Sequence, residues 1–415
     1  MQQKMMLNFP SLSLKTGLAG LGLLMSVASA QAQKFTRLAQ TPPMGWNSWN
    51  KFACDVDEQK IRQVADVMAT NGMKAAGYEY IVIDDCWHGK RDTLGFIQPD
   101  KQRFPSGMKA LVDYVHSKGL KFGIYSDAGN TTCGGRPGSR GHEYQDATTY
   151  AQWGVDYLKY DWCATDGLKA EGAYSTMRDA LGHAGHPVVF SLCEWGTAKP
   201  WLWASNVGHL WRTTGDIYNC WDCVHDNGGD SKSFGVLRII DMQEGLRQYA
   251  GPGHWNDPDM MEVGNGKLTP SEERAHFAMW CMLAAPLIAG NDLRQMNPQT
   301  LSVLTNKAVI AVDQDPLGVQ GFRLATKDSV DTWVKPLAEG DWALCFLNRG
   351  RKPQPITFDW KTQPIHDDMA KRDLAADGTR YKIRNLWTGR EAGTTAKPFR
   401  AEVPGHDVVM IRLSK

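Results

Sequence analysis

The sequence predicts a (β/α)8 barrel followed by a C-terminal antiparallel β-sandwich, and three observations carry that reading. From Thr41 onward, eight short apolar runs alternate with longer amphipathic stretches. Nearly every run ends in acidic, polar or aromatic residues. Beyond residue 320 the pattern changes to short alternating segments bounded by turn residues. The 415 residues suffice for both parts, because a barrel of this kind takes roughly 250 residues.

Residues 1–32 read as an export signal. Lys4 and Lys15 precede an apolar run at 18–28, and Ala28-Ser29-Ala30 and Ala30-Gln31-Ala32 both fit a small-x-small cleavage site. The run is short for a membrane span, which needs about 20 apolar residues. The barrel is expected over 33–320, with strands at 44–49, 80–84, 121–126, 155–160, 187–193, 209–213, 253–257 and 286–290. Continuous apolar runs suit parallel strands buried on both faces. Between them, 57–73 places Ile61, Val64, Ala65 and Met68 at helical spacing. A second helix after Pro105 carries Met108, Leu111, Val112 and Val115 and is closed by Gly119. The repeat is uneven: the gap between the fifth and sixth strands is short, and the next is long. The sandwich is expected over 321–415, with strands at 332–336, 342–348, 354–358, 381–386 and 408–413. The run 342–347 fits a half-buried antiparallel strand.

Charge narrows the partners. Lys plus Arg total 46 against 45 Asp plus Glu, so no strong field draws nucleic acid or an anionic membrane, and a neutral substrate fits best. Nine cysteines leave at least one without an intramolecular partner. Cys220-x-x-Cys223 stands alone, and His183 and His186 have no carboxylate cluster beside them, so neither a metal nor a cofactor is predicted. The sixteen Trp suit both sugar stacking and core packing.

The chemistry lies at the strand ends. These carry Trp49, Asp84-Asp85, Tyr125 with Asp127, Lys159 with Asp161, Glu194-Trp195, Arg212 with Asp216, and Asp257 with Asp259. In a barrel these ends converge on the face where active sites of this fold lie. Burying a carboxylate is costly unless it is paired, so acids at six strand ends point to one polar pocket. Capping of the following helix accounts equally well for Asp127 and Asp257 taken singly. Paired carboxylates with one Lys, one Arg and several Trp meet the needs of glycoside cleavage.

Five segments then resemble glycoside hydrolase family 27, the family of α-galactosidases. They are 41–49 (TPPMGWNSW), 83–87 (IDDCW), 121–127 (KFGIYSD), 157–161 (YLKYD) and 251–260 (GPGHWNDPDM). The resemblance implies a retaining exo-α-D-galactosidase with Asp161 as nucleophile and Asp216 as general acid/base. Lys159 would lie beside the sugar, and Arg212 would bind sugar hydroxyls. Asp84 and Asp85 would hold the 6- and 4-hydroxyls, while Trp49, Tyr125 and Trp195 line the pocket and Asp259 supports it. Glu194 would face the 2-hydroxyl. Disulfides Cys54–Cys86 and Cys133–Cys163 match the family pattern, and Cys220–Cys223 would make a third, small bridge. Cys193, Cys281 and Cys345 would be buried thiols. Lys159, two residues before Asp161 on the same side of a strand, should offset the burial of that carboxylate and keep it ionised. Three other readings fit less well. A β-L-arabinopyranosidase of the same family has no 6-hydroxyl for Asp84 to grip. A non-catalytic sugar-binding protein would lack one of the two carboxylates. A metal-dependent hydrolase would lose its activity to a chelator.

Overall fold

The computed structural model describes residues 34–229, 231–374 and 379–415. The expected signal at 1–32 lies outside them. The first strands are β1 (Met44–Asn47), β2 (Tyr80–Val82), β3 (Lys121–Asp127), β4 (Tyr157–Asp161), β5 (Val189–Cys193) and β6 (Leu210–Arg212). A hairpin of β7 (Val224–Gly228) and β8 (Ser231–Phe234) follows, then β9 (Trp255–Asp257) and β10 (Leu287–Ala289). The eight barrel strands form one parallel sheet in the order β10-β1-β2-β3-β4-β5-β6-β9. An isolated parallel bridge between Met261 and Ala289 joins the two ends. There the Met261 N–H reaches Ile288 O at 2.7 Å and the Gly290 N–H reaches Met261 O at 3.2 Å.

Alternation along the strands separates two apolar layers. Ile81, Phe122, Leu158, Phe190 and Trp211 join the large core beneath the helices. Tyr80, Val82, Tyr157, Val189, Leu210 and Trp255 form a smaller cluster inside the barrel, plugged by Leu38 and Ala39. Gly123 belongs to that interior: a Cβ there would come within 2.7 Å of Val82 Cγ2 and 3.2 Å of Tyr157 Cβ.

The helix expected at 57–73 runs over Glu58–Thr70, with Asp57 as its cap accepting the Lys60 N–H at 2.7 Å. It ends early because Asn71 and the left-handed Gly72 turn the chain into the separate helix Met73–Ala76. The second helix spans Met108–Ser117, and Gly119 follows at φ +66°. The uneven repeat has a plain structural basis. Two 3-10 turns, Pro200–Leu202 and Ala204–Asn206, stand where a helix would follow β5. The β7–β8 hairpin lengthens the stretch after β6.

The C-terminal sandwich is built on β11 (Phe322–Lys327), β12 (Val330–Pro336), β13 (Trp342–Asn348), β14 (Gln354–Phe358), β15 (Ile365–Asp367), β16 (Arg372–Leu374), β17 (Lys382–Asn385), β18 (Glu391–Thr394), β19 (Phe399–Val403) and β20 (Val408–Ser414). Its main antiparallel sheet runs β11-β12-β13-β20-β17-β18. The half-buried expectation for β13 fails: all seven of its residues are buried. Trp342, Leu344 and Phe346 face the sandwich interior, whereas Ala343, Cys345 and Leu347 join the barrel core. The alternation is present, but the second face meets the helix Pro270–Met282 instead of water.

Candidate active site

The C-terminal ends of the barrel strands surround a cavity of about 580 Å³. Period-2 alternation carries β4 from Tyr157 in the apolar interior to Lys159 and then to Asp161 at the rim. The same alternation on β3 brings up Tyr125 and Asp127 beside them, with Tyr125 opposite Lys159 and Asp127 opposite Asp161.

Asp161 is buried. Its Oδ2 accepts the Tyr125 hydroxyl at 2.8 Å and its Oδ1 accepts the Trp162 N–H at 3.0 Å. Burial pushes its pKa up to about 6, against the pull of Lys159, and the nearby Asp216 charge adds to the rise. The expected compensation by Lys159 is therefore incomplete. The reason is geometric: the Lys159 ammonium bonds Asp84 Oδ2 at 2.8 Å, not Asp161. Burial alone would lower Lys159, but the Asp84 charge against it holds its pKa above the usual range. Asp84 Oδ2 also accepts Asn47 Nδ2 at 2.7 Å, and Ser48 Oγ accepts the Asp84 N–H at 3.0 Å. Asp85 is fixed by the Cys86 N–H at 2.6 Å and the Gly134 N–H at 2.7 Å, and burial raises its pKa.

Across the cavity, Arg212 is 3% exposed and holds two carboxylates at once. Its Nη2 lies 3.0 Å from Asp216 Oδ1 and 2.9 Å from Asp259 Oδ2. Asp259 is further held by the N–H groups of Ile217 at 2.8 Å and Met260 at 2.7 Å. The Asp216 side chain remains 52% exposed, so it faces the mouth of the cavity while Asp161 lies at its floor.

Ten of the eleven residues singled out from the sequence line this cavity: Asp161, Asp216 and Arg212, then Trp49, Asp84, Asp85, Tyr125, Lys159, Trp195 and Asp259. Glu194 does not. It is fully buried and turned under the following loop. Its Oε2 accepts the Thr197 hydroxyl at 2.8 Å and the Ala198 N–H at 2.5 Å. Trp195 at φ +58° and Gly196 at φ +76° fold the chain back so that these donors point at the carboxylate. Glu194 is a turn cap, which corrects its assignment to the 2-hydroxyl. Asp127 and Asp257 likewise cap turns: Asp127 accepts the N–H groups of Gly129 at 2.7 Å and Cys163 at 2.9 Å, and Asp257 that of Asp259 at 2.9 Å. Burial, reinforced by the Asp161 charge, pushes Asp127 up to about 8.

The bridges Cys54–Cys86, Cys133–Cys163 and Cys220–Cys223 are present, and Cys193, Cys281 and Cys345 are buried thiols. Cys133 Sγ lies 3.5 Å from Asp161 Oδ2, so the second bridge forms part of the pocket wall. Asp127, Cys133 and Cys163 bring one carboxylate and two sulfurs together, but both sulfurs are committed to the disulfide and offer no thiolate to a metal. Sequence reasoning missed Asn50, Glu262 and Asn265, which also line the cavity. Glu262 and Asn265 lie a few residues beyond the Asp257-Pro258-Asp259 strand end, so extending the strand-end rule past Asp259 would have reached both.

Comparison with known proteins shows the family. The family described as "Alpha galactosidase A" matches residues 41–315, and the one described as "Alpha galactosidase C-terminal beta sandwich domain" matches 327–413. "Alpha-galactosidase A" of Cellvibrio japonicus is 59% identical over 400 residues, covering 96% of this chain and 98% of that protein. The crystal structure of α-galactosidase I from Mortierella vinacea superposes with a TM-score of 0.86 at 36% identity, covering 92% of this chain and 98% of that one. An α-galactosidase of Saccharomyces cerevisiae, solved with raffinose, gives a TM-score of 0.84 at 30% identity, covering 92% and 100%. A β-L-arabinopyranosidase of Geobacillus stearothermophilus shares the fold at 24% identity and a TM-score of 0.77, covering 91% and 98%.

Proposed function

Since this chain belongs to the α-galactosidases of glycoside hydrolase family 27, we propose that Asp161 and Asp216 are the two carboxyl groups of its double displacement. The enzyme hydrolyses terminal α-galactosyl residues of galactosides. The Asp161 carboxylate attacks the anomeric carbon while the Asp216 carboxyl gives its proton to the departing oxygen. The product of this step is a β-galactosyl ester on Asp161. Asp216, now ionised, takes a proton from water, the water oxygen attacks the same carbon, and α-galactose leaves with its configuration retained. The pair carries out both steps with water alone.

The observation that carries the assignment is the contrast between the two environments. Asp161 is desolvated at the cavity floor and held by the Tyr125 hydroxyl, whereas Asp216 is half exposed at the mouth and held by Arg212. A nucleophile needs fixed orientation on the sugar side, and an acid/base needs access to the leaving group and to water. Asp84, Asp85 and Lys159 supply acceptors and a cation for the galactose hydroxyls, and Asp84 is the group suited to a 6-hydroxyl. Terminal galactose on oligosaccharides or galactomannan is the substrate class we assign. Residues 33–320 form the catalytic barrel and 321–415 the sandwich. Three disulfides suit an oxidising compartment, so we place the protein outside the cytosol, with 1–32 removed on export.

The test is a pair of variants. Asp161→Ala should abolish turnover with every leaving group. Asp216→Ala should damage poor leaving groups far more than nitrophenolate, and azide should restore part of its rate by displacing Asp161 from the β-galactosyl ester, which gives α-galactosyl azide. β-Galactosyl azide from Asp216→Ala, α-galactosyl azide from Asp161→Ala, or β-galactose as first product of the wild type, would reverse or refute the roles.

A further inference from the structure

The Asp216 carboxylate is held by Arg212 and is half exposed, so its place depends on the backbone around it. Upstream, the Thr213 N–H bonds Asp257 O on β9 at 3.0 Å. Downstream, the Ile217 N–H reaches Asp259 Oδ2 at 2.8 Å, and Asp216 O accepts the Phe234 N–H of β8 at 2.8 Å. The chain then enters the small loop closed by the Cys220–Cys223 bridge, with Trp221 inside it. The carbonyls of this loop take the N–H groups at the start of the helix Val236–Met242. Cys223 O accepts from Gly235 at 2.9 Å, Cys220 O from Val236 at 3.0 Å and Trp221 O from Leu237 at 2.9 Å. Such donors have no partner inside their own helix, so loop and helix start fix one another. Gly235 directly follows Phe234, which carries the constraint back to the Asp216 main chain.

The ring of Trp221 is fixed from the sandwich. It is buried, and its indole N–H has no acceptor among the described residues, so packing sets its place. The His406 imidazole stacks on it, with ring centres 5.2 Å apart and planes at 28°. His406 stands in the turn between β19 and β20 at φ +51°, a left-handed conformation unfavourable for a residue with a Cβ. Strained residues of this kind cluster at functional sites. The turn is clamped from several sides. The His406 N–H bonds Gly350 O at 2.9 Å, and its Nδ1 donates to Glu272 Oε1 at 2.7 Å. The next residue, Asp407, accepts Ser271 Oγ at 3.0 Å and Arg274 Nε at 2.9 Å. Glu272 also closes the capping box of the helix Pro270–Met282 with Thr269. His406 therefore bridges the sandwich, a barrel helix and the loop that leads back to Asp216.

We propose that His406 is a positioning residue for Asp216: by stacking on Trp221 it holds the Cys220–Cys223 loop and, through it, the backbone that aims the acid/base carboxyl. The sandwich then contributes to proton transfer without touching the sugar. The nucleophile lies outside this chain of contacts, because Asp161 is held by Tyr125 and by the Trp162 N–H on the other side of the cavity. Loss of the stack should accordingly weaken acid catalysis and spare nucleophilic attack. This rests on the assignment of Asp216 as acid/base.

The experiment measures kcat/KM for methyl α-galactoside, whose departing oxygen needs a proton, and for 4-nitrophenyl α-galactoside, whose departing oxygen hardly does, in the full-length enzyme. His406→Gly removes the ring and suits the positive φ, so the turn keeps its backbone. It should lower the methyl-to-nitrophenyl ratio about three- to tenfold, the effect of one lost ring pair, and leave the nitrophenyl rate nearly unchanged. His406→Phe keeps a ring against Trp221 and should restore the ratio. Trp221→Leu should lower the ratio as His406→Gly does, and combining the two should lower it no further. An unchanged ratio in both single variants overturns the proposal. So does equal loss on both galactosides, which would leave the turn as a support of the fold alone, and so does a ratio in His406→Phe as low as in His406→Gly. Asp216→Ala in the same assay separates the two readings. A ratio that falls there but not in His406→Gly overturns the role of His406 alone, whereas a ratio unchanged in Asp216→Ala overturns the acid/base assignment and the role of His406 with it.

Discussion

Tyr125→Phe isolates the group that holds the nucleophile. The substitution removes one oxygen and keeps the ring, so the Trp87 Nε1 bond to Tyr125 O, at 2.8 Å, and the Lys159 ammonium 5.4 Å from the ring centre are undisturbed. What is lost is the 2.8 Å hydrogen bond from the hydroxyl to Asp161 Oδ2. A hydrogen bond to a charged group is worth about 1.5–3 kcal/mol. It favours the ionised carboxylate, so its loss raises the Asp161 pKa by about one to two units at 1.36 kcal/mol each. Burial has already pushed that pKa up to about 6, so the variant should titrate near about 7 or 8. Attack requires the carboxylate, so activity falls as pH drops through this value. The acid limb of kcat/KM for 4-nitrophenyl α-galactoside should therefore move to higher pH by about one to two units. At pH 5 the additional loss should be about ten- to a hundredfold, while well above the new pKa the variant should approach the wild-type rate. An acid limb that stays in place, with any loss spread evenly across pH, would refute the claim that Tyr125 keeps Asp161 ionised.

Three further outcomes follow from the geometry. Glu194→Ala should destabilise the protein by about 1–3 kcal/mol, because Ala198 N–H and the Thr197 hydroxyl lose their acceptor. The same variant should leave the preference for galactosides over N-acetylgalactosaminides unchanged, and a tenfold shift in that preference would restore Glu194 to the sugar. Replacing Cys133 and Cys163 by Ser opens a loop with a sequence separation of 30, which should lower stability by about 3–4 kcal/mol. It should also raise KM by loosening Gly134, whose N–H holds Asp85; an unchanged melting curve and KM would contradict this. His209 accepts the Phe190 N–H at 2.9 Å on Nδ1 and meets Phe35 O at 2.9 Å on Nε2, and burial lowers its pKa to about 4. A histidine pKa below its unfolded value gives stability that is complete above about pH 6.5 and is lost as pH falls through about 4, roughly 3 kcal/mol in all. Hydrogen exchange at Phe190 should accelerate across that window in the wild type, and acceleration only above it would reverse the sign.

The sequence by itself determined the positions of the eight barrel strands and which residues crowd their ends. Parallel strands covered by helices on one side and an apolar interior on the other must be apolar at nearly every position, which makes them visible as short runs. Parallel alignment then brings every carboxyl end to one face, so Asp84, Asp161, Arg212 and Asp259 could be grouped before any coordinate was known. Tertiary structure decided where each polar side chain points and what it meets. Lys159 and Asp161 share a face of β4, as period 2 requires, yet Lys159 pairs with Asp84 because the adjoining strands β2 and β3 bring that carboxylate within 2.8 Å. Glu194 left the pocket because two positive-φ residues after it aimed backbone and hydroxyl donors at its carboxylate. The strand β13 was hidden on both faces because the helix Pro270–Met282 covers the side that sequence alternation leaves to solvent. A strand's period is a property of its own backbone. The partner of a side chain depends on segments far away in sequence, whose distance and direction only the folded chain supplies.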